Sequence, residues 1–199
     1  MHVIRNFHRG RAGYRCLQEA VSNHYFKHYN ANPVPTPDFF MCLTGDDGAA
    51  PGYACAGITY GDTGKLFSEY YLKHDLDELF CVQRSRILEI GSFSSFQVGT
   101  GAGTHLLKNI VRMLTLYNYG LVVMTVTDKV YDMLQSFVED VVDLGLADIN
   151  KVKKSSIDWG TYYEQHPRVV AFRVDPKKPW TPSHRLPSQT VEEKLRAIA

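Results

Sequence analysis

The stretch Arg86–Tyr119 carries the residues whose types and spacing are best suited to chemistry. Glu89 stands among Ile87, Leu88, Ile90 and Phe93, in a short, apolar, β-prone run. Desolvation by such neighbours raises a carboxyl pKa towards neutrality, where the group can exchange protons. Strand alternation places Glu89 on the side of Ile87, Gly91 and Phe93, opposite Leu88 and Ile90. The bland counterpart is a structural carboxylate paired with Arg84 or Arg86. Just downstream, Val98, Gly99, Thr100, Gly101, Ala102, Gly103 and Thr104 form a glycine loop that feeds a helix. Free N–H groups and the positive dipole end at such a junction suit a phosphate. Glycine also lets the backbone approach a ligand closely. A turn that merely packs helix against strand is the alternative.

Spacing narrows the kind of phosphate site. Gly103-Thr104-His105 lacks the Gly-Lys-Ser/Thr ending of a P-loop. A dinucleotide fingerprint needs its third glycine one residue later and an acid about twenty residues on, where Tyr119 stands. Ile87-Leu88-Glu89-Ile90-Gly91 opens like a methyltransferase loop, but Ser92-Phe93 replaces the glycines that should follow. The segment resembles the acyl-CoA loop of the GNAT acyltransferases, a strand followed by Gln/Arg-x-x-Gly-x-Gly/Ala and a helix. Aligned on Gly101-Ala102-Gly103, the first position of that motif is Val98, with Gln97 one residue early.

Other elements must position these residues. Arg9–Tyr29 has helical spacing, with Tyr14, Leu17, Val21, Tyr25 and Phe26 on one face. The prolines at 33, 35 and 37 end it. Phe39–Leu43 and Tyr53–Tyr60 read as a hairpin around Gly45-Asp46-Asp47-Gly48. Lys65–Leu72 and Leu76–Val82 are short amphipathic pieces. From Gly103, Leu106, Leu107, Ile110, Val111 and Leu114 give one apolar helix face. Leu121–Thr127 is a second buried strand. A helix is expected from Asp128 to about Val141, with Gly145 closing that region. Trp159–Tyr163 reads as loop or edge structure, and Val169–Val174 as a final strand. Residues 1–175 form one domain. Residues 176–199 form a proline-rich tail, in which Thr190 and Glu193 make a capping box for a short helix.

Several segments together are similar to the thermostable haemolysin family, a GNAT-related group. They are Phe67-Ser68-Glu69-Tyr70-Tyr71-Leu72, Arg86–Phe93, Gly101-Ala102-Gly103, Met124-Thr125-Val126-Thr127, Leu144–Asp148, Trp159-Gly160-Thr161-Tyr162-Tyr163 and Pro167–Val174. Ser92-Phe93 departs from the asparagine-leucine pair expected there. The resemblance implies an α/β (α+β) fold, a GNAT-like mixed central sheet flanked by helices, related to the acyl-homoserine lactone synthases. It implies transfer of an acyl group from acyl-CoA, or from an acyl carrier protein thioester, to a small amine. Two strands would splay beside the loop, Glu89 would take the acceptor's proton, and Tyr162 or Tyr163 would reprotonate the leaving thiolate. The bland reading of those tyrosines is core aromatics beside Trp159. A homodimer and an acyl carrier protein stand among the partners the resemblance allows. Other readings are a membrane-active haemolysin and a non-catalytic acyl-CoA-binding module.

Composition sets bounds. The chain has 199 residues, 44% of them hydrophobic, enough for one domain with a real core. A formal net charge of +1 gives no electrostatic case for nucleic acid. No apolar run reaches the length of a membrane span, and Met1–Cys16 lacks the apolar core of a secretory signal. A cytoplasmic protein follows. Cys16, Cys42, Cys55 and Cys81 lie singly, as reduced thiols rather than a disulfide or metal set. His105 is a surface residue or a phosphate contact. Asp75, Asp77 and Glu78 are a solvated face or an attractor for a cationic acceptor.

Overall fold

The computed structural model describes residues 2–152 and 157–174; the proline-rich tail and its expected helix lie outside them. Among these described residues, seven strands form one sheet: β1 (Val3–His8), β2 (Phe39–Thr44), β3 (Ala54–Tyr60), β4 (Ile87–Ser95), β5 (Leu121–Val126), β6 (Val142–Leu146) and β7 (Arg168–Arg173). Their order is β1-β2-β3-β4-β5-β7-β6. β4 and β5 run parallel, and the other neighbouring pairs are antiparallel. Four α-helices among the described residues accompany the sheet: α1 (Tyr14–Tyr29), α2 (Leu76–Phe80), α3 (Ala102–Leu116) and α4 (Asp128–Gln135).

The two faces of the sheet carry different cores. On one, Leu106, Leu107, Ile110, Val111 and Leu114 of α3 are buried against Leu88, Ile90, Val122 and Met124, with Leu134 of α4 beside them. This is the apolar face expected from the spacing, and each such side chain contributes about 1.5–3 kcal/mol on burial. On the other face, α1 buries Tyr14, Leu17 and Val21 against Phe40, Cys42 and Cys55. Further along, Leu66, Tyr71, Leu76 and Phe80 cover Ile87, Leu121 and Val123.

Three expectations are corrected. The first helix begins at Tyr14, not Arg9, because residues 9–13 turn the chain, with Gly10 and Gly13 in left-handed backbone, after an unexpected strand β1. α4 ends at Gln135 and the chain turns into edge strand β6, so Gly145 lies in that strand, beside a register shift, instead of closing a helix. Both missed strands are partly exposed, so neither shows the clean apolar alternation that marks a half-buried strand. The third correction concerns Phe93. Cys55 faces Ser94 and Gly57 faces Gly91, so Ser92 and Phe93 together oppose Ala56. This bulge holds Ser92 at φ +52° and reverses the alternation beyond it. Phe93 therefore packs with the α3 core, on the face opposite Glu89.

Candidate functional site

β4 and β5 stay paired only from Ile87–Leu121 to Glu89–Val123. Beyond that point they diverge, which leaves the β5-facing edge of Ile90–Ser95 without a β5 partner. The gap opens into a cleft enclosing about 430 Å³, its mouth included. Its walls are Ile90, Gly91, Ser92 and Phe93 from β4 and Met124–Thr127 from the β5 side; His24, Tyr25, Tyr29, Val130 and Tyr162 complete them. Among the described residues, the side chains lining this cleft include no carboxylate, lysine or arginine. Burial, then the neighbouring His28 and Lys27, lower the His24 pKa to about 4, so the cleft presents a neutral imidazole.

The glycine loop adjoins this cleft through Phe93. Gly99 (φ +82°) and Gly101 (φ +75°) occupy left-handed backbone with open space around them. The N–H of Ala102 reaches Thr100 Oγ1 at 3.4 Å, and that of His105 reaches the Gly101 carbonyl. Those of Gly103 and Thr104 have no acceptor among the described residues. An α3 of 15 residues thus begins with two N–H groups unpaired among the described residues, next to a loop with open space at Gly99 and Gly101, an arrangement that fits an anion. Gly103 has a packing role as well: a Cβ there would lie 2.8 Å from Phe93 Cζ. His105 turns towards His2, 6.1 Å away between ring centroids.

Glu89 is 5% exposed. The N–H of Phe67 donates to its Oε2 at 2.8 Å, and the N–H of Ser68 to its Oε1 at 2.8 Å. The Ser68 hydroxyl also donates to Oε1, at 2.5 Å. Burial raises the Glu89 pKa above the usual carboxylate value, and these hydrogen bonds only partly oppose the rise. The expected alternative, a pair with Arg84 or Arg86, does not form. Arg84 binds Glu69, whose side chain is fully buried, and caps the carbonyls of Gly61 and Gly64. Arg86 binds Asn118. The Arg84–Glu69 pair fixes the turn Phe67–Tyr71, and that turn aims its N–H groups at Glu89.

Among the residues singled out in the sequence, Tyr162 lines the cleft, whereas Glu89 and Tyr163 do not. Glu89 communicates with the cleft through Ser68 Oγ, which lies 2.9 Å from Thr125 Oγ1. Tyr163 instead joins Tyr71, hydroxyl to hydroxyl, at 2.5 Å. Tyr162 packs on Tyr25 and Tyr29, with centroids 5.7 and 5.3 Å away. Its neighbour Gly160 lies at φ +46°, and a Cβ there would overlap the carbonyls of Tyr29 and Asn30. The N–H of Thr161 donates to the Tyr29 carbonyl at 2.7 Å. The glycine of Trp159-Gly160-Thr161-Tyr162-Tyr163 thus lets this loop dock on the end of α1 and deliver Tyr162 to the cleft. Sequence reasoning missed His24, Tyr29, Ser68 and Thr125. The available signal for Ser68 was a small polar residue within an otherwise aromatic segment.

Solved structures with the same fold are acyltransferases at low identity. The AHL synthase LasI is 16% identical, with a TM-score of 0.54, covering 88% of this chain and 91% of its own. The apo form of TofI is 13% identical, with a TM-score of 0.54 over 87% and 91%. A GNAT-family acetyltransferase from Staphylococcus aureus Mu50 is 10% identical, with a TM-score of 0.51 over 87% and 100%. These likenesses establish the GNAT-like fold. No curated protein matches the sequence. No helix among the described residues is long and apolar enough to cross a membrane. A family model matches residues 7–177, and the chain belongs to the thermostable hemolysin family.

Proposed function

We propose that this protein is an N-acyltransferase that moves an acyl group from a CoA thioester, or an acyl carrier protein thioester, to a small amine. The observation that carries this reading is the open divergence of β4 from β5 directly beside the free N–H groups at the start of α3. The donor's pyrophosphate would lie over Val98, Gly99, Thr100, Gly101, Ala102, Gly103 and Thr104. Its thioester carbonyl would lie in the divergence, against the backbone that β5 leaves unpaired, where N–H groups stabilise a developing oxyanion. Attack by an amine requires loss of a proton, and Glu89 is the group whose buried setting favours proton uptake. Burial keeps the Tyr162 hydroxyl protonated, so it can donate to the departing sulfur. Tyr163, held by Tyr71, supports that wall by packing on Tyr162, with ring centroids 5.4 Å apart.

The test is release of free thiol from acetyl-, octanoyl- and dodecanoyl-CoA in the presence of a panel of primary amines, with the N-acyl product identified by mass spectrometry. Amine-dependent thiol release matched by amide product supports the proposal. Donor binding with no product under any pairing would favour a binding module. Lysis of erythrocytes by donor-free protein would favour a membrane-active role.

A further inference from the structure

We propose that Ser68 and Thr125 form a two-hydroxyl relay that passes a proton from an amine bound in the cleft to Glu89. The inference rests on the acyl-transfer reading and identifies how a carboxylate outside the cleft can serve it. Glu89 lies behind the cleft wall, and Thr125 lies in it. Between them stands Ser68, fully buried, 2.9 Å from Thr125 Oγ1 and 2.5 Å from Glu89 Oε1.

The direction of the chain follows from the number of hydrogens. An ionised carboxylate only accepts, so the single hydroxyl hydrogen of Ser68 is committed to Glu89. The hydrogen in the Ser68–Thr125 bond must then come from Thr125. With its one hydrogen directed inward, Thr125 Oγ1 offers the cleft lone pairs alone. It therefore selects a ligand that donates, and an attacking amine is such a ligand. Both hydroxyls are fixed from several sides. The turn Phe67–Tyr71 is held by the Glu69–Arg84 pair, and β5 around Thr125 is paired to β7 from Leu121 to Val126.

The step balances. As the amine nitrogen bonds to the thioester carbon, its proton moves to Thr125 Oγ1, that of Thr125 to Ser68 Oγ, and that of Ser68 to Glu89 Oε1. Both hydroxyls are regenerated and Glu89 becomes neutral. The C–S bond then breaks, and the thiolate takes the Tyr162 proton, which water replaces. Glu89 returns its proton to water in the cleft by the reverse path. Among the described residues His24 is the basic side chain on the cleft wall itself, and it is the competing proton acceptor.

The test uses Thr125→Val, which keeps shape and removes the hydroxyl, Thr125→Ser, which restores it, and Ser68→Ala. Thr125→Val and Ser68→Ala should lower kcat by roughly 10²-fold or more with little change in donor KM, and Thr125→Ser should recover most of the rate. A second measurement does not depend on turnover. In protein with ¹³C-labelled glutamate carboxyls, the Glu89 signal, assigned by its loss in Glu89→Asp, is followed while benzylamine is added. It should shift in the wild type and remain still in Thr125→Val. A Glu89 signal indifferent to amine in the wild type overturns the relay, as do equal rates in Thr125→Val and wild type. Loss of turnover in His24→Gln with retention in Thr125→Val would assign the proton to His24 instead. An amine response at Glu89 without any thiol release would uphold the relay while refuting the acyl-transfer reading.

Discussion

Replacing Thr100 by Asp should weaken CoA binding while leaving the glycine loop folded. Thr100 Oγ1 accepts from the Ala102 N–H at 3.4 Å and donates to the Gln97 carbonyl at 2.9 Å. Asp keeps the acceptor and loses the donor, an exposed bond contributing about 0.5–1.5 kcal/mol. A negative charge at the start of α3 returns about 0.3–1 kcal/mol through the helix dipole. The two changes offset, and Tm should move by no more than a few degrees. Thr100→Asn makes a similar alteration without the charge, so the difference between the two variants isolates electrostatics. Two unit charges about 5 Å apart in water repel by about 0.8 kcal/mol, and the two charges of a pyrophosphate contribute about 1.7 kcal/mol, or roughly 15-fold in Kd. Calorimetry with CoA at 0.1 M salt should find Asp weaker than Asn by about this factor. At 1 M salt the screening length falls to about 3 Å, and the two affinities should converge. Equal affinities for Asp and Asn at low salt, in proteins with unchanged Tm, would refute a pyrophosphate over this helix start.

Two further outcomes follow from ionisable groups withdrawn from solvent near the site. Arg84→Ala strands the carboxylate of Glu69, whose side chain is fully buried, and should cost about 3 kcal/mol, or about 6–12 °C in Tm. Burial raises the Glu69 pKa, but the Arg84 hydrogen bonds and the Leu76 and Leu66 N–H groups outweigh it, leaving a value below 4.5. The contribution of Arg84 is therefore complete above pH 4.5 and lost as pH falls through the folded value, so urea melts of wild type and variant should differ most at pH 7 and converge in acid. A constant gap at all pH values would contradict this. For His24 the folded pKa is about 4 against an ordinary 6.5, so the unfolded chain binds a proton that the folded one refuses. Stability should decline as pH falls from 6.5 towards 4, the His24→Gln protein should show a shallower decline, and the His24 ring resonance should not titrate near pH 6.

The sequence by itself determined what local pattern and composition can fix. The apolar face of α3 follows from side chains recurring every three to four residues, and the glycines before it mark a turn with left-handed backbone. The desolvated setting of Glu89 was legible for the same reason, since its immediate neighbours are apolar whatever the strand pairs with. The segments resembling the thermostable haemolysin family pointed to the GNAT-like sheet.

What only the tertiary structure decided depends on contacts distant along the chain. Glu89 meets Phe67 and Ser68, and Ser68 meets Thr125, because turn, β4 and β5 converge in space. Nothing local to Glu89 encodes those partners. Arg84 looked equally able to pair with Glu89, but the fold gives it Glu69. One residue gained in β4 at Ser92 turned Phe93 to the other face, which strand alternation cannot anticipate because a bulge depends on the register with β3. β1 and β6 escaped notice because each lies at an edge of the sheet, where strands need not carry an apolar stripe. Tyr162 and Tyr163, adjacent in sequence, acquired different surroundings only when the Gly160 loop docked on α1. One then lined the cleft, and the other bonded to Tyr71.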